Sequence, residues 1–259
     1  MTDDQKIDEL LANLNHPDLD ERLHAIQKLG ERGNLRAVKP LLIAHMRRQE
    51  PEKSAILETF RTMGDKILPP LNAIFLRDVN PFLQADAAYV LGELGNWHSI
   101  RVLARGIHMP HEFVRAMAVM ALGKFESNDI YEPVLMALRD ESPTVRIEAA
   151  IVLGRRGDVR AVDILIAALE QELIHPLNRH VILRALGMTG DPRAVEVLGD
   201  ALYDKRPEDR AAAAEGLGYI QDVRVVPALQ NALDDDDPQV QIAVLAALKR
   251  LRHKTKDSD

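Results

Sequence analysis

Leu153-Gly154-Arg155-Arg156-Gly157-Asp158-Val159-Arg160-Ala161-Val162 recurs one unit later as Leu186-Gly187-Met188-Thr189-Gly190-Asp191-Pro192-Arg193-Ala194-Val195. A looser third copy ends in Asp222-Val223-Arg224-Val225-Val226. Glycine after an apolar run reads as a helix C-terminus, since it tolerates the left-handed conformation. The Asp four residues on reads as the N-cap of the next helix, and Pro192 sits where the first helical turn accepts proline. This stretch is therefore a turn between two helices, and its repetition makes the chain a tandem array.

Outward from it, Gly30, Gly64, Gly92, Gly123, Gly154, Gly187 and Gly218 are spaced by 34, 28, 31, 31, 33 and 31 residues, with Lys249 another 31 on. Asn34 and Asn96 hold the cap position in earlier units. A second boundary lies inside each unit, marked by Pro17, Pro51, Pro81, Pro110, Pro143, Pro176, Pro207 and Pro238. Asn80, Ser142 and Asp237 stand directly before three of these prolines as caps. Segments between the boundaries, such as Val145–Leu153 and Ala161–Leu169, carry apolar residues at helical spacing. Each unit reads as helix A, turn, helix B, turn. Neither helix buries its stripe alone, so neighbours stack. The predicted fold is all-α: a solenoid of about eight helix pairs.

Composition agrees. Of 259 residues 46% are hydrophobic but only 4% aromatic, so Ala, Leu and Val fill the core. No apolar run reaches the roughly 18 residues of a membrane span. The polar start Met1-Thr2-Asp3-Asp4-Gln5-Lys6 is unlike a secretory signal. With no cysteine there is no disulfide and no thiolate ligand or nucleophile. A cytoplasmic protein is expected. Net charge is −7, with 15 Lys+Arg against 16 Asp+Glu up to residue 123 and 18 against 24 after it. That balance does not predict a nucleic-acid binder; Arg47-Arg48 and Arg155, Arg156 and Arg160 read as solvated surface.

Asp140-Glu141-Ser142-Pro143-Thr144-Val145-Arg146-Ile147-Glu148-Ala149-Ala150-Ile151-Val152-Leu153-Gly154 resembles the HEAT-like repeat of the phycobilisome-lyase type. The resemblance implies a right-handed α-solenoid of HEAT-like pairs over 7–251, preceded by a polar segment (1–6) and followed by a charged tail (252–259). Its members include adaptors, bilin lyases, an iron hydroxylase and DNA-repair proteins, so it implies no single activity. An Arg eight residues before the glycine recurs as Arg22, Arg115, Arg146, Arg179 and Arg210, with Gln84 and Gln241 in two other units. In such repeats it pairs with an acidic or carbonyl group of a neighbouring unit, a structural role.

The iron hydroxylase of the superfamily, deoxyhypusine hydroxylase, places His-Glu dipeptides after that Arg. The matching pairs here are Ile147-Glu148, His180-Val181, Ala116-Met117 and Ala211-Ala212, and none holds both ligands. His111-Glu112 is out of register. His98, His108 and His111, with Glu93 and Glu112 near, are a metal candidate set against the plainer reading that they flank turns. The acidic run Asp234–Asp237 reads as a turn and cap, lacking the Gly and terminal Glu of a calcium loop. No phosphate loop, Gly-x-Ser-x-Gly elbow or His-Glu-x-x-His is present. No catalytic residue, metal or cofactor is predicted, and the chain is expected not to be an enzyme.

The aromatics depart from the repeat. Phe60, Phe75, Phe82, Tyr89, Trp97, Phe113, Phe125 and Tyr131 crowd into 72 of the 259 residues, with Met109, Met117 and Met120 among them. Val145, Ala149, Ala150 and Leu153 mark the buried stripe of a B helix. The positions ten and three before the glycine lie off it. They are Asp20 with Gln27, Glu208 with Glu215 and Gln239 with Ala246, but also Phe82 with Tyr89 and Phe113 with Met120. Met117 stands where other units have Asp86 or Glu148. An apolar partner-binding patch of Phe82, Tyr89, Phe113, Met117 and Met120 is predicted, against filling of loose gaps between irregular units. The expected function is a scaffold for a protein partner; a bilin lyase-like or metal-client chaperone role is the alternative.

Overall fold

A computed structural model describes residues 2–170, 178–220 and 222–256, side chains being described up to 252. Its sixteen α-helices among these residues fall into eight pairs, and the chain divides into two compact units, Met1–Pro133 and Val134–Asp259. The first unit holds α1 (Asp3–Asn13) with α2 (Leu19–Arg32), α3 (Val38–Arg47) with α4 (Glu52–Met63), α5 (Leu68–Arg77) with α6 (Pro81–Leu94), and α7 (Ser99–Gly106) with α8 (Glu112–Leu122). The second begins within α9 (Tyr131–Ala137), paired with α10 (Pro143–Arg155). There follow α11 (Val162–Glu170) with α12 (Arg179–Met188), α13 (Val195–Ala201) with α14 (Pro207–Ile220), and α15 (Val226–Asn231) with α16 (Pro238–Lys256). None is long and apolar enough to cross a membrane among the described residues.

The capping chemistry is local. Asn34, Asp158, Asp191 and Asp222 each accept the amide of the residue two ahead and start a 3-10 turn that leads into an A helix. Asn96 accepts the amide of His98 in the same way. Pro81, Pro143, Pro207 and Pro238 open their B helices, and Asn80 caps α6 through the amides of Phe82 and Leu83. Pro176 lies outside the described residues. Asp237 accepts the amide of Gln239, and Asp235 pairs with Arg210 at 2.7 Å, so the acidic run is a turn and cap.

Gly64 and Gly123 stand at helix C-caps as expected, Gly64 with a positive φ, but the other five recurrent glycines are a correction. Gly30, Gly92, Gly154, Gly187 and Gly218 lie inside their helices; the left-handed turns fall at Gly33, Gly95, Gly157 and Gly190, three residues later. A Cβ on Gly92 would stand 3.0 Å from the Cα of Ala121, one on Gly154 2.8 Å from that of Ala185, and one on Gly218 2.7 Å from that of Ala247. On Gly187 it would collide with the backbone of Gly216. At Gly92, Gly154, Gly187 and Gly218 the period marks where consecutive B helices touch backbone to backbone, which selects for the smallest residue; a Cβ on Gly64 would meet nothing within 4 Å.

The repeated Arg ties each turn together. Arg22 Nη1 donates to the carbonyls of His16 and Pro17, Arg115 to Met109 and Pro110, Arg146 to Asp140 and Glu141, and Arg210 to Asp204 and Lys205. Gln241 Nε2 repeats the bond to Asp235. These carbonyls lie past the end of helix A and lack helical donors. The carboxylate partner comes from the following repeat: Glu52 for Arg22 and Asp235 for Arg210, each at 2.7 Å.

Both ends of the array differ from expectation. Helix α1 starts at Asp3, inside the stretch read as a polar lead-in. Thr2 and Gln5 form a reciprocal capping box there. Helix α16 runs to Lys256, through part of the stretch read as a tail.

Candidate functional site

The B helices α6 and α8 bury Leu83, Ala87, Ala88 and Leu91, and Val114, Ala118, Val119 and Leu122. Residues ten before each glycine are turned away from that stripe by the helical period, and here they are aromatic. Phe82 is 60% exposed and Phe113 40%, and their rings lie 5.9 Å apart at a 55° tilt, within the centroid distances at which aromatic pairs attract. Tyr89 and Met117 are half-buried. A cavity of about 350 Å³ opens between α3, α4, α6 and α8, lined by Phe82, Tyr89, Phe113 and Met117 together with Ala85 and Leu57. Met120, half-buried, does not line it. The other aromatics of the crowd divide: Phe60, Phe75 and Phe125 are core, whereas Trp97 is 70% exposed and rests against His98.

The polar wall was not read from the sequence. His45, on the A helix α3, is 1% exposed; its Nδ1 lies 2.9 Å from both carboxylate oxygens of Asp86. This pairing places the imidazole proton on Nδ1, as donor. Nε2 is buried without a hydrogen-bond partner. The ring stacks on Tyr89 at 5.7 Å, and burial pushes the Tyr89 phenol above its usual range. Glu50 and Lys53 complete the rim; the Ser54 hydroxyl holds the Glu50 carboxyl below its ordinary range. Forty-one residues separate His45 from Asp86, and no motif links them. Asp86 shares its mid-helix position with Glu58 and Glu148 in other units, so the sequence carries no signal that singles it out.

The residues weighed as metal ligands are engaged singly. His111 caps α8 through the amide of Phe113, His98 Nδ1 meets Asn96, and Glu93 pairs with Lys124 at 2.9 Å. Among the described residues no three His, Asp or Glu side chains come together as a metal site. Glu148 is half-buried, and desolvation pushes its carboxyl up, against the field of Arg155.

Comparison with known proteins follows the repeat. YibA of Escherichia coli is 29% identical over 128 residues, 49% of this chain and 44% of that protein. Its crystal structure matches over 97% of this chain and 93% of that chain, with a TM-score of 0.62 at 19% identity, a likeness of fold. Deoxyhypusine hydroxylase-B of rice is 32% identical over 88 residues, 34% of this chain and 29% of that enzyme. The matched stretches thus span less than half of these two relatives. An uncharacterized phycocyanin operon protein Z of Pseudanabaena tenuis is 20% identical over 188 residues, 70% of this chain and 93% of that protein. The HEAT-repeat model matches residues 68–142, 131–209 and 195–258, and the chain belongs to that family.

Proposed function

We propose that the protein is a non-catalytic scaffold whose docking site is the Phe82–Phe113 cavity. The observation that carries this reading is the exposed, mutually packed aromatic pair at the mouth of a cavity also lined by Tyr89 and Met117. Most other units place polar or small residues at that helix position (Asp20, Ser54, Thr144, Glu208 and Gln239, with Leu177 the exception), so stacking of the repeat does not call for an aromatic pair there. Its occupant is a segment of a protein partner that inserts an apolar side chain into the cavity beside the two rings; aromatic anchors and a flexible Met suit that task. The replacement of Phe82, Phe113 and Met117 together by Ser tests it. The variant is expected to keep the helical circular-dichroism signal and to lose a partner retained by the wild type on affinity capture. Loss of helicity would make these residues core and sink the reading.

A second reading is favoured by the match to nearly the whole of the operon protein Z. The same cavity, with Lys53 at its rim for an acidic substituent, would take an edge of a bilin. Visible absorbance on adding bilin distinguishes the two readings: a shifted, intensified band in the wild type supports the second, an unchanged spectrum the first.

A further inference from the structure

Four residues before the repeat glycine, every earlier B helix buries its side chain: Ile26 at 2% exposure and Phe60, Ala88, Val119, Ala150, Leu183 and Ala214 at 0%. In α16 the same position is Leu245, 57% exposed, and three residues before it Ile242 is 58% exposed. By the helical period these two share one face with Lys249, which replaces the glycine. On α10, α12 and α14 that face carries the glycine abutting the next B helix. Helix α16 therefore presents the inter-repeat face with its apolar residues intact and no described helix over it. Lys249 forbids the backbone contact that Gly154, Gly187 and Gly218 allow, so whatever covers α16 is a helix at wider spacing rather than another close-stacked repeat.

The exposed charges at the two ends of α16 are opposite in sign. Asp234 and Asp236 are exposed just before α16 begins, and Lys249 is exposed toward its other end. At 1.5 Å per residue, Lys249 lies about 8 Å along the helix from the midpoint of Ile242 and Leu245, and the acidic turn stands beyond the opposite end, ahead of Pro238. Two copies of α16 laid antiparallel about a two-fold axis would thus bring Ile242 and Leu245 together at the centre. The acidic turn of each copy would meet the lysine of the other at both ends. We infer that α16 is the interface of a symmetric dimer, its occupant a second copy of this chain.

One helix against another lies at the small end of interface sizes, so association should be concentration-dependent. Sedimentation or light scattering should give a dimer mass near about 500 µM and a monomer mass near about 5 µM. Both residues are exposed, so Ile242→Ser with Leu245→Ser should keep the melting temperature and remain monomeric throughout. Lys249→Glu alone and Asp234→Lys with Asp236→Lys should each impair self-association. An equimolar mixture of the two should form a heterodimer, since both of its ends then pair opposite charges. A monomer mass for the wild type at every concentration overturns the inference. So does a dimer that survives the Ile242/Leu245 substitutions, or charge variants that fail to rescue each other.

Discussion

Asp209 is the residue least expected from the repeat. It lies nine before Gly218, where four other B helices hold Leu83, Val114, Val145 and Val240, all buried, and two hold the polar Glu21 and Asn178, neither of them buried. Asp209 is equally buried, at 0% exposure, and neither carboxylate oxygen has a hydrogen bond. Arg179 Nε is 4.0 Å away and also faces Asp204 at 3.7 Å, while Arg206 and His180 act on it only through space. Burial outweighs these charges and pushes the carboxyl above its ordinary range. A raised carboxyl pKa means that the unfolded chain ionises first. The fold therefore loses stability as pH rises from about 3.9, the unfolded value, through the raised one. Asp209→Val should stabilise the protein at pH 7 by about 1–3 kcal/mol. In paired thermal melts the gain should shrink on acidification; a gain that grows instead would mean a carboxylate ionised in the fold and held by Arg179. The sequence shows an Asp at this place but not its burial without a donor, because that depends on what α12 brings opposite.

Among the elements, the crossing of α12 and α14 carries the tightest demand. Gly187 meets Gly216 with no room for a methyl group, whereas a Cβ on Gly199 in α13 would meet nothing within 4 Å. Gly187→Ala should destabilise by at least about 2 kcal/mol, since backbone rather than a flexible side chain must move. Gly199→Ala, in a helix interior with open space, should gain about 0.5–1 kcal/mol. Urea titration of both variants checks the contrast; equal effects would mean that helix propensity, not the crossing, governs these sites. The spacing of the glycines is visible in the sequence, and Gly64 and Gly123 are the helix ends it predicts, but the other five lie inside their helices. A glycine near a helix end satisfies capping and close approach alike, and only the neighbouring helix distinguishes them. The caps at Asp158, Asp191 and Asp222 were assigned correctly because their partners lie two residues away.

For the whole molecule, the net charge of −7 leaves no general attraction for a polyanion. At about 150 mM salt the protein is expected to leave the mobility of duplex DNA unchanged, as few counterions would be released; a retarded band would expose a basic surface that the charge balance conceals. The helix pairs, their number, their turns and the recurrence of the Arg were determined by the sequence alone, whereas the carbonyls of its own turn that the Arg holds were seen only in the structure. All of them are repeated, short-range features, and repetition multiplies a weak local signal. Tertiary structure alone decided that Phe60, Phe75 and Phe125 are core while Phe82 and Phe113 meet at a cavity mouth. It also set His45 against Asp86 and left the apolar face of α16 uncovered. Each of these depends on which side chain another helix places opposite, tens of residues away, and helical periodicity specifies a face without specifying what covers it.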